Sequence, residues 1–277
     1  MRLAFTKMHG LGNDFAVIEQ VTNPVYLSTK QINKMSDRNT GIGFDQLIYI
    51  EAPLRPDVDF HYRVFNADGS EVEHCGNGAR CLYRFVRNNR LTWKKTIKVS
   101  TETDTILEMT QASQGLVSVT MQEPQFSTDQ IPRTANIYNQ LHGLELAGKE
   151  FEVGLVSVGN PHCVLLVDDI KRAPVVELGS QIRQHHWFPQ QVNVGFMEVI
   201  TPTRIKLRVF ERGVGETQAC GTGACAAIAI GRQQGWLDER VRVELQGGDL
   251  QLLWKGKDNQ MIMTGPAETV FEGTINI

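Results

Sequence analysis

An internal repeat constrains the fold of this chain more than any other feature of its sequence. Residues 63–79 match residues 208–224 without a gap, at the constant separation of 145 positions that lies between Cys75 and Cys220. The identical pairs are Arg63/Arg208, Val64/Val209, Phe65/Phe210, Glu71/Glu216, Cys75/Cys220, Gly76/Gly221, Gly78/Gly223 and Ala79/Ala224. Weaker echoes pair Gly12-Asn13 with Gly159-Asn160 and Gly43-Phe44 with Gly195-Phe196. A repeat of such long period indicates two copies of one fold unit, so we predict two similar domains.

Each copy of the repeat leads through a glycine-rich turn into a cysteine. After Cys220, residues 224–230 are apolar on every side, which is typical of a buried helix. The first N–H groups of a helix have no partner inside it, and the helix dipole adds positive charge there. Such a helix start binds anions and lowers the pKa of a thiol on it. We therefore predict that Cys75 and Cys220 each lie beside a carboxylate-binding helix start.

Most of the remaining sequence has the alternation and composition of β-strands. A capping-box pattern at Ser28–Gln31 predicts a short helix that ends near Met35, and Asp168-Asp169 lead into a further helix that Pro174 breaks or begins. We predict strands over residues 3–8, 15–19, 46–51, 60–66, 96–101, 106–110, 116–121, 151–158, 163–167, 192–200, 204–211, 241–245, 250–254, 261–264 and 267–271. The expected fold class is α+β (α/β), with each domain a curled mixed or antiparallel sheet around a central buried helix.

The polar stretch of residues 122–140, which contains Pro124 and Pro132, is the expected link between the domains. It predicts an N-terminal domain of residues 1–121, completed by residues 265–277, and a C-terminal domain of residues 122–264. Since both domains carry a cysteine at an equivalent helix start, we expect the active site in the cleft between them.

Composition and charge narrow the class of protein. A hydrophobic fraction of 41% with 21% charged residues is ordinary for a globular protein. The net charge of −3 gives no electrostatic reason to expect nucleic acid or an anionic membrane as a partner. No apolar run approaches the roughly 20 residues of a membrane span, and the first residues lose their apolar character too early for a signal peptide. Five cysteines fit free thiols in a reducing compartment, so we expect a cytoplasmic protein.

Most cysteines are small core residues, and we interpret Cys81, Cys163 and Cys225 in this way. A metal site is disfavoured because the chain has no CxxC pair and no histidine cluster with ligand spacing. For Cys75 and Cys220, the repeat favours catalysis. If a carbon acid lies between two thiols, one thiolate removes a proton from one face and the opposing thiol delivers a proton to the other, which inverts configuration. This chemistry requires neither pyridoxal phosphate nor a metal, so we expect no cofactor.

Several motifs together resemble the diaminopimelate epimerase family. They are Met8-His9-Gly10-Leu11-Gly12-Asn13-Asp14-Phe15, Gly43-Phe44-Asp45-Gln46, Phe65-Asn66-Ala67-Asp68-Gly69-Ser70, Cys75-Gly76-Asn77-Gly78-Ala79-Arg80-Cys81, Gly159-Asn160-Pro161-His162, Glu211-Arg212-Gly213 and Cys220-Gly221-Thr222-Gly223-Ala224-Cys225. The resemblance spans nearly the whole chain. It implies an isomerase that interconverts LL- and meso-2,6-diaminopimelate in lysine and peptidoglycan precursor synthesis. It also implies a cofactor-independent two-base mechanism, a cleft that closes on the substrate, and a homodimer.

The resemblance also assigns residues. Cys75 and Cys220 are the base and the acid, with their roles exchanged in the reverse direction. Gly76, Asn77, Gly221 and Thr222 bind the carboxylate at the reacting carbon, and the remaining substrate-binding residues are Asn13, Gln46, Asn66, Asn160, Asn193, Glu211 and Arg212. His162 and Glu211 are candidates for tuning the thiols, although a histidine bonded to a loop backbone is an equally good interpretation of His162.

Three alternatives stay open at this point. A cofactor-independent racemase of the proline racemase type has two thiols, but it needs no groups for a distant second amino acid end. A redox module, in which Cys75 and Cys220 form a regulatory disulfide, requires cycles of oxidation. A non-catalytic interaction protein leaves the thiols at the helix starts without a role.

Overall fold

A computed structural model describes residues 2–73, 75–126, 131 and 141–277 of the chain. Most of the expected polar link, residues 127–130 and 132–140, lies outside the described residues. Among the residues that are described, no helix is long and apolar enough to cross a membrane.

The described elements follow one another in the chain as strands with four interspersed α-helices. In order they are β1 (Arg2–Gly10), β2 (Asn13–Glu19), α1 (Thr29–Ser36), β3 (Gln46–Glu51), β4 (Phe60–Asn66), β5 (Glu71–Val72), α2 (Gly76–Asn88), β6 (Thr96–Thr101), β7 (Ile106–Gln111), β8 (Val117–Met121), β9 (His142–Leu146), β10 (Lys149–Ser157), β11 (Pro161–Leu166), α3 (Val175–Arg183), β12 (Asn193–Thr201), β13 (Arg204–Glu211), β14 (Gly215–Thr217), α4 (Gly221–Gln233), β15 (Arg240–Leu245), β16 (Gly248–Leu253), β17 (Met261–Gly265) and β18 (Glu268–Asn276).

The chain divides into two compact units, which we describe separately. The first unit comprises Met1–Thr120 with Thr264–Ile277, and the second comprises Met121–Met263. The C-terminal strand β18 belongs to the first unit, where it pairs antiparallel with β1.

The two units follow the same sequence of strand pairings. In the first, β1/β2 is antiparallel, β2/β3 parallel, β3/β4 antiparallel, β4/β5 antiparallel, β4/β6 parallel and β6/β7 antiparallel. In the second, β10/β11, β11/β12, β12/β13, β13/β14, β13/β15 and β15/β16 repeat that order of directions. Each unit is therefore a mixed sheet with the same topology, as the repeat predicts.

Each sheet curls around one helix that follows a cysteine. Helix α4 packs against β10, β11, β12, β13 and β16, and its residues Gly223–Gly231 are all buried, as the uniform apolar run predicts. Helix α2 packs against β1, β2, β3, β7 and β18, and it keeps Arg84 and Arg87 on its less buried side. Helix α1 begins with the expected capping box, in which Ser28 and Gln31 bond reciprocally.

Of the two weaker sequence matches between the halves, one corresponds to equivalent positions in the structure and the other does not. Gly12 and Gly159 both have positive φ (86° and 100°), and each precedes the asparagine of its loop. Gly43 also has positive φ, 73°, but Gly195 lies inside strand β12. The sheet registers pair Phe15 with Gln46 and His162 with Asn193, so Gln46 corresponds to Asn193. The proposed match of Gly43-Phe44 with Gly195-Phe196 was therefore wrong.

Candidate active site

The first unit brings together six predicted residues, Asn13, Gln46, Asn66, Cys75, Gly76 and Asn77, which we call the Cys75 site. Cys75 is the N-cap residue of α2, with an extended backbone (φ −136°, ψ 117°) and a half-buried side chain. Its carbonyl oxygen accepts the Ala79 N–H at 2.8 Å and the Tyr62 hydroxyl at 3.0 Å. Both bonds fix the backbone of Cys75 at the helix start, where the repeat predicted it.

Amide side chains surround the sulfur of Cys75. The thiol donates to Asn13 Oδ1 at 3.6 Å, and Asn77 Nδ2 donates to the same oxygen at 3.3 Å. Farther along the strand ends, Gln46 Nε2 donates to Asn66 Oδ1 at 3.0 Å. Asn66 in turn donates to Ser70 Oγ at 3.1 Å. The predicted residues of this unit thus form two hydrogen-bonded groups at the same end of its sheet.

The absence of a side chain at position 78 lets the helix start lie against the sheet. A Cβ atom at Gly78 would collide with the Tyr62 hydroxyl, and it would lie 3.1 Å from Ile48 Cδ1. Tyr62 is buried, and burial raises the pKa of its hydroxyl well above the ordinary value. Tyr62 therefore remains a neutral hydrogen-bond donor that holds the Cys75 carbonyl.

The second unit holds the other eight predicted residues, Asn160, His162, Asn193, Glu211, Arg212, Cys220, Gly221 and Thr222, which we call the Cys220 site. Cys220 is the N-cap residue of α4, and 4% of it is exposed. Its sulfur accepts the Gly223 N–H at 3.3 Å and lies 3.5 Å from Thr222 Oγ1. This is the helix-start geometry that the sequence predicted for the second thiol.

The direction of the Cys220 pKa differs from the expectation for a thiol at a helix start. Burial raises the pKa of Cys220 well above its ordinary value, and the negative charge of Glu211 and its hydrogen bond with the thiol raise it further. The bonds from Thr222 and from the Gly223 N–H lower the pKa but do not outweigh burial. The predicted acidic thiol was therefore wrong for Cys220, which is held in its protonated form.

His162 lies in β11 and is not a loop histidine. Its Nε2 lies 3.0 Å from Asn160 Oδ1, and Asn160 Nδ2 donates to Thr222 Oγ1 at 3.5 Å. Burial, and secondarily the charge of Arg212, lowers the pKa of His162 to about 3. The ring is therefore neutral near pH 7, and its buried Nδ1 has no hydrogen-bond partner within the described parts of the chain. His162 connects to the neighbourhood of Cys220 through Asn160 and Thr222.

Asn193 and Arg212 form the outer part of the Cys220 site. Asn193 is buried, donates to the Pro161 carbonyl at 3.3 Å and accepts the Arg212 N–H at 2.8 Å. The Arg212 side chain is exposed and donates to the Gln190 carbonyl at 3.4 Å. Asn193 thus positions the backbone at Arg212, which leaves an exposed guanidinium beside the site.

The remaining cysteines are core residues, as expected. Cys81 and Cys225 lie inside α2 and α4, Cys163 lies in β11, and all three are buried. Burial raises the pKa of Cys81 to about 12 and that of Cys163 further. The five cysteines are free thiols. In the described portion of the chain, no group of three or more histidine, cysteine, aspartate or glutamate side chains has the arrangement of a metal site.

Sequence reasoning missed three residues that contact the Cys75 site, namely Tyr62, Asp45 and Arg80. Asp45 Oδ2 accepts Asn13 Nδ2 at 3.2 Å, and Arg80 Nη2 donates to Asn77 Oδ1 at 2.8 Å. Asp45 and Arg80 both lie within the quoted motifs. A charged residue inside a helix with small neighbours was the available signal for Arg80, whose counterpart in the repeat is Cys225.

The fold identifies a class of two-unit proteins. The chain superposes on a phenazine biosynthesis protein of the PhzF family from Bacillus anthracis with a TM-score of 0.72 at 16% identity, covering 100% of both chains. It superposes equally well, with a TM-score of 0.72 at 13% identity, on a hydroxyproline epimerase from Agrobacterium vitis, covering 99% of this chain and 92% of the other. At these identities the likeness concerns the fold alone.

Sequence comparison narrows the class to one family. The diaminopimelate epimerase family matches residues 5–127 and 154–270 of the chain. A protein named diaminopimelate epimerase from Pseudomonas entomophila (strain L48) is 52% identical over 277 residues, which is 100% of each chain. The chain belongs to the diaminopimelate epimerase family, as its motifs predicted.

Proposed function

We propose that this chain is an isomerase that interconverts LL- and meso-2,6-diaminopimelate in lysine and peptidoglycan precursor synthesis. The observation that carries the proposal is the pair of cysteines at the N-caps of α2 and α4, at equivalent positions of the two units. We infer the substrate from the family to which the chain belongs, and the reaction mechanism from the two thiols.

The reaction inverts one α-carbon by proton transfer to and from opposite faces. The thiolate of one cysteine takes the α-proton, and the electron pair of the C–H bond moves into the adjoining carboxylate. The thiol of the other cysteine then delivers its proton to the opposite face and becomes the thiolate. Cys75 and Cys220 exchange these roles in the reverse direction. For this reaction we propose that the two units close around the substrate in a cleft.

The helix starts stabilise the charge that grows on the carboxylate. Backbone N–H groups at Gly76, Asn77, Gly221 and Thr222 begin α2 and α4, where the helix dipoles favour negative charge. Both helix starts are buried, which strengthens such interactions. The reaction then requires no pyridoxal phosphate and no metal.

The polar groups beyond the helix starts suit a substrate with two amino acid ends. The exposed Arg212 guanidinium is a donor for a carboxylate, and Glu211 is an acceptor for an ammonium group. We assign Asn13, Gln46, Asn66, Asn160 and Asn193 to the remaining contacts. A proline racemase needs no second set of this kind, so the number of polar groups favours diaminopimelate.

Glu211 and His162 set the protonation of Cys220. Because burial, the charge of Glu211 and the hydrogen bond that this carboxylate accepts from the thiol all raise the pKa of Cys220, the resting state of this cysteine is the protonated acid. His162 is neutral and linked through Asn160 to Thr222, which lies beside the sulfur. The protein then meets an LL substrate with Cys220 protonated.

We also propose a cytoplasmic homodimer without nucleic acid or membrane partners. Free thiols fit a reducing compartment. On the C-terminal strand β18, Val270 and Phe271 are 55% and 47% exposed, which favours this strand as the contact between copies.

Isotope exchange tests the proposed reaction. Reduced protein is incubated with LL-diaminopimelate in deuterated water, and the expected product is the meso isomer with deuterium at one α-carbon. Cys75→Ala and Cys220→Ala each lower epimerisation at least about 10³-fold, because each removes one of the two proton carriers. The matched control is Cys225→Ala, which changes a buried thiol of α4 outside the proposed reaction.

Failure of well-folded, reduced wild-type protein to form labelled meso product would overturn the assignment. Activity that requires cycles of oxidation would favour the redox module instead. Racemisation of proline without action on diaminopimelate would favour the proline racemase type.

A further inference from the structure

Arg80 is a buried cation one helical turn beyond the thiol of the first unit. It is 0% exposed and is among the largest completely buried side chains of the described chain. Burial of an arginine is costly unless its donors are used by well-placed acceptors. Arg80 Nε donates to the Pro266 carbonyl at 2.9 Å, and Nη2 donates to Asn77 Oδ1 at 2.8 Å. The guanidinium is therefore tied both to the segment after β17 and to the Cys75 site.

The bond from Arg80 fixes which way the Asn77 amide points. A guanidinium can only donate, so the atom of Asn77 that faces it must be the oxygen. The Asn77 NH₂ group then faces Asn13, and Nδ2 donates to Asn13 Oδ1 at 3.3 Å. Residues 77 and 80 are neighbours on one helix face because they are three positions apart.

The other end of the same chain of hydrogen bonds is a carboxylate. Asn13 Nδ2 donates to Asp45 Oδ2 at 3.2 Å, and a carboxylate can only accept. Asp45 is itself held by Arg38 at 2.7 Å and by the Asp14 N–H at 3.2 Å. The amides of Asn77 and Asn13 thus lie between Arg80, which only donates, and an aspartate, which only accepts. Each amide therefore has a single orientation. Asn13 Oδ1 must then face the Cys75 sulfur, which donates to it at 3.6 Å.

At the two equivalent positions, the second unit has neither the amide nor the cation. At the repeat positions of Asn77 and Arg80 it has Thr222 and Cys225, and neither offers an amide or a cation. Thr222 instead contacts the sulfur directly, with Oγ1 3.5 Å from Sγ. The series of hydrogen bonds that orients the two amides is therefore a feature of the Cys75 site and not a general requirement of the fold.

We propose that Arg80 is a positioning residue for the reaction, which fixes the amides of Asn77 and Asn13 and through them the environment of the Cys75 sulfur. The proposal rests on the proposed function only for the consequence in turnover. The effect on Cys75 itself is a property of the free protein. Burial raises the pKa of Tyr62 and of Cys81, and the positive charge of the neighbouring Arg80 opposes both rises. The same charge favours a thiolate in this region.

The test compares Arg80→Met with Arg80→Lys in the full chain. Lysine keeps a positive charge and donors only, whereas methionine keeps the length and removes both. Alkylation of the free protein by iodoacetamide is followed separately on the Cys75 and Cys220 peptides by mass spectrometry. We expect Arg80→Met to change the rate of Cys75 alkylation about tenfold and to leave Cys220 unchanged, because the variant removes a nearby positive charge and releases the Asn13 oxygen that accepts the Cys75 thiol. Arg80→Lys keeps the charge and can donate to Asn77 Oδ1, although not to Pro266 as well, so its change is expected to be smaller than that of Arg80→Met.

Turnover of diaminopimelate is measured on the same variants. The expected loss in Arg80→Met is about tenfold or more in kcat, with a smaller change in KM, because misplaced groups at the reacting carbon affect the transition state most. Arg84→Met is the matched control, because Arg84 lies on the same helix and bonds the Gly115 carbonyl away from the thiol.

Three outcomes would overturn the proposal. The first is an unchanged rate of Cys75 alkylation and an unchanged turnover in folded Arg80→Met. The second is an equal change in the alkylation rates of Cys75 and Cys220. The third is an equal loss of turnover in the methionine and lysine variants. Because alkylation needs no substrate, a wild-type protein that is inactive on diaminopimelate would refute the proposed function and leave this test valid.

Discussion

In each unit, three residues that come before the cysteine in the sequence lie side by side on adjacent strands, and the residue types differ between the two units. The first unit has Phe15, Gln46 and Asn66, and the second has His162, Asn193 and Glu211. The registers place Phe15 beside Gln46 and Gln46 beside Asn66. In the second unit His162 lies beside Asn193, and the pairing of Val194 with Phe210 brings Asn193 beside Glu211. The backbone frame is the same, but only the second unit carries ionisable side chains on it.

This difference teaches how one duplicated frame can provide two unlike thiols. A two-base reaction needs one thiolate and one thiol at the same moment, and two identical sites would give both cysteines the same protonation. Glu211 and burial favour the protonated form of Cys220, whereas the first unit has the neutral Asn66 in the place of Glu211 and adds the cation of Arg80. Charge placement, more than backbone geometry, distinguishes the two sites.

Removal of the Glu211 charge is expected to have the largest effect on this comparison. In Glu211→Gln the pKa of Cys220 falls, because the negative charge that opposes the thiolate is gone. Cys220 alkylation near pH 8 then accelerates about tenfold, and its pH midpoint moves to lower pH. Epimerisation falls about 10²-fold, because the site loses the negative charge that favours the Cys220 thiol and that we assign to the ammonium group of the substrate. The rate of iodoacetamide labelling as a function of pH gives the midpoint.

Glu244→Gln is the control for this change. Glu244 is a carboxylate of the same unit that pairs with Arg204 at 2.6 Å and is not among the groups that shift the pKa of Cys220. An unchanged pH profile of Cys220 in folded Glu211→Gln would contradict the contribution that we assign to Glu211, in addition to burial, in raising its pKa.

Much of the fold was predictable from the sequence because local signals agreed with the tertiary structure. The repeat located both N-cap cysteines, and the uniform apolar run located α4. Most strands were predicted within a few residues of their observed bounds. The missed strands have physical reasons. Glu71–Val72 and Gly215–Thr217 are too short to show periodicity, and β9 (His142–Leu146) has a single buried residue, Leu144. The strand β18 was predicted only over residues 267–271, but it extends to Asn276 although nearly all its residues are exposed.

The chemistry of the site was harder to predict, because it depends on burial and on strand register. A helix start argues for an acidic thiol, but the depth of Cys220 and the approach of Glu211 are tertiary properties. Arg80 was not predicted as part of the site because arginine on a helix is ordinarily exposed. Only the packing of α2 against the strands of its unit shows that this side chain is completely buried.

The third residue of each helix provides a second comparison of the two sites. In Gly78→Ala the new methyl group collides with the Tyr62 hydroxyl, which is fixed by its bond to the Cys75 carbonyl. In Gly223→Ala it lies 2.8 Å from Val209 Cγ2, a smaller conflict. We expect a loss of about 2–3 kcal/mol of unfolding free energy for Gly78→Ala and about 1 kcal/mol for Gly223→Ala. Urea denaturation measures both, and equal losses would contradict the difference in packing.

Exchange of His162 for the residue of the other unit is expected to have the smallest effect, and its sign depends on pH. The pKa of His162 is about 3 in the folded protein, below its value of about 6.5 in an unfolded chain. The contribution to stability is therefore complete above pH 6.5 and is lost as the pH falls toward 3, because the unfolded state binds the proton more readily. At pH 5 this loss is about 2 kcal/mol.

His162→Phe introduces the residue found at the equivalent position, Phe15. The variant no longer binds a proton on unfolding, so the decrease of its unfolding free energy between pH 7.5 and pH 5 is smaller than that of wild type by about 2 kcal/mol. His142→Phe is the control, because His142 is only partly buried and its pKa is lowered by burial alone. Equal pH dependence in wild type and His162→Phe would mean that the histidine is protonated in the folded state. In that case a neutral His162 could not distinguish the Cys220 site from the Cys75 site.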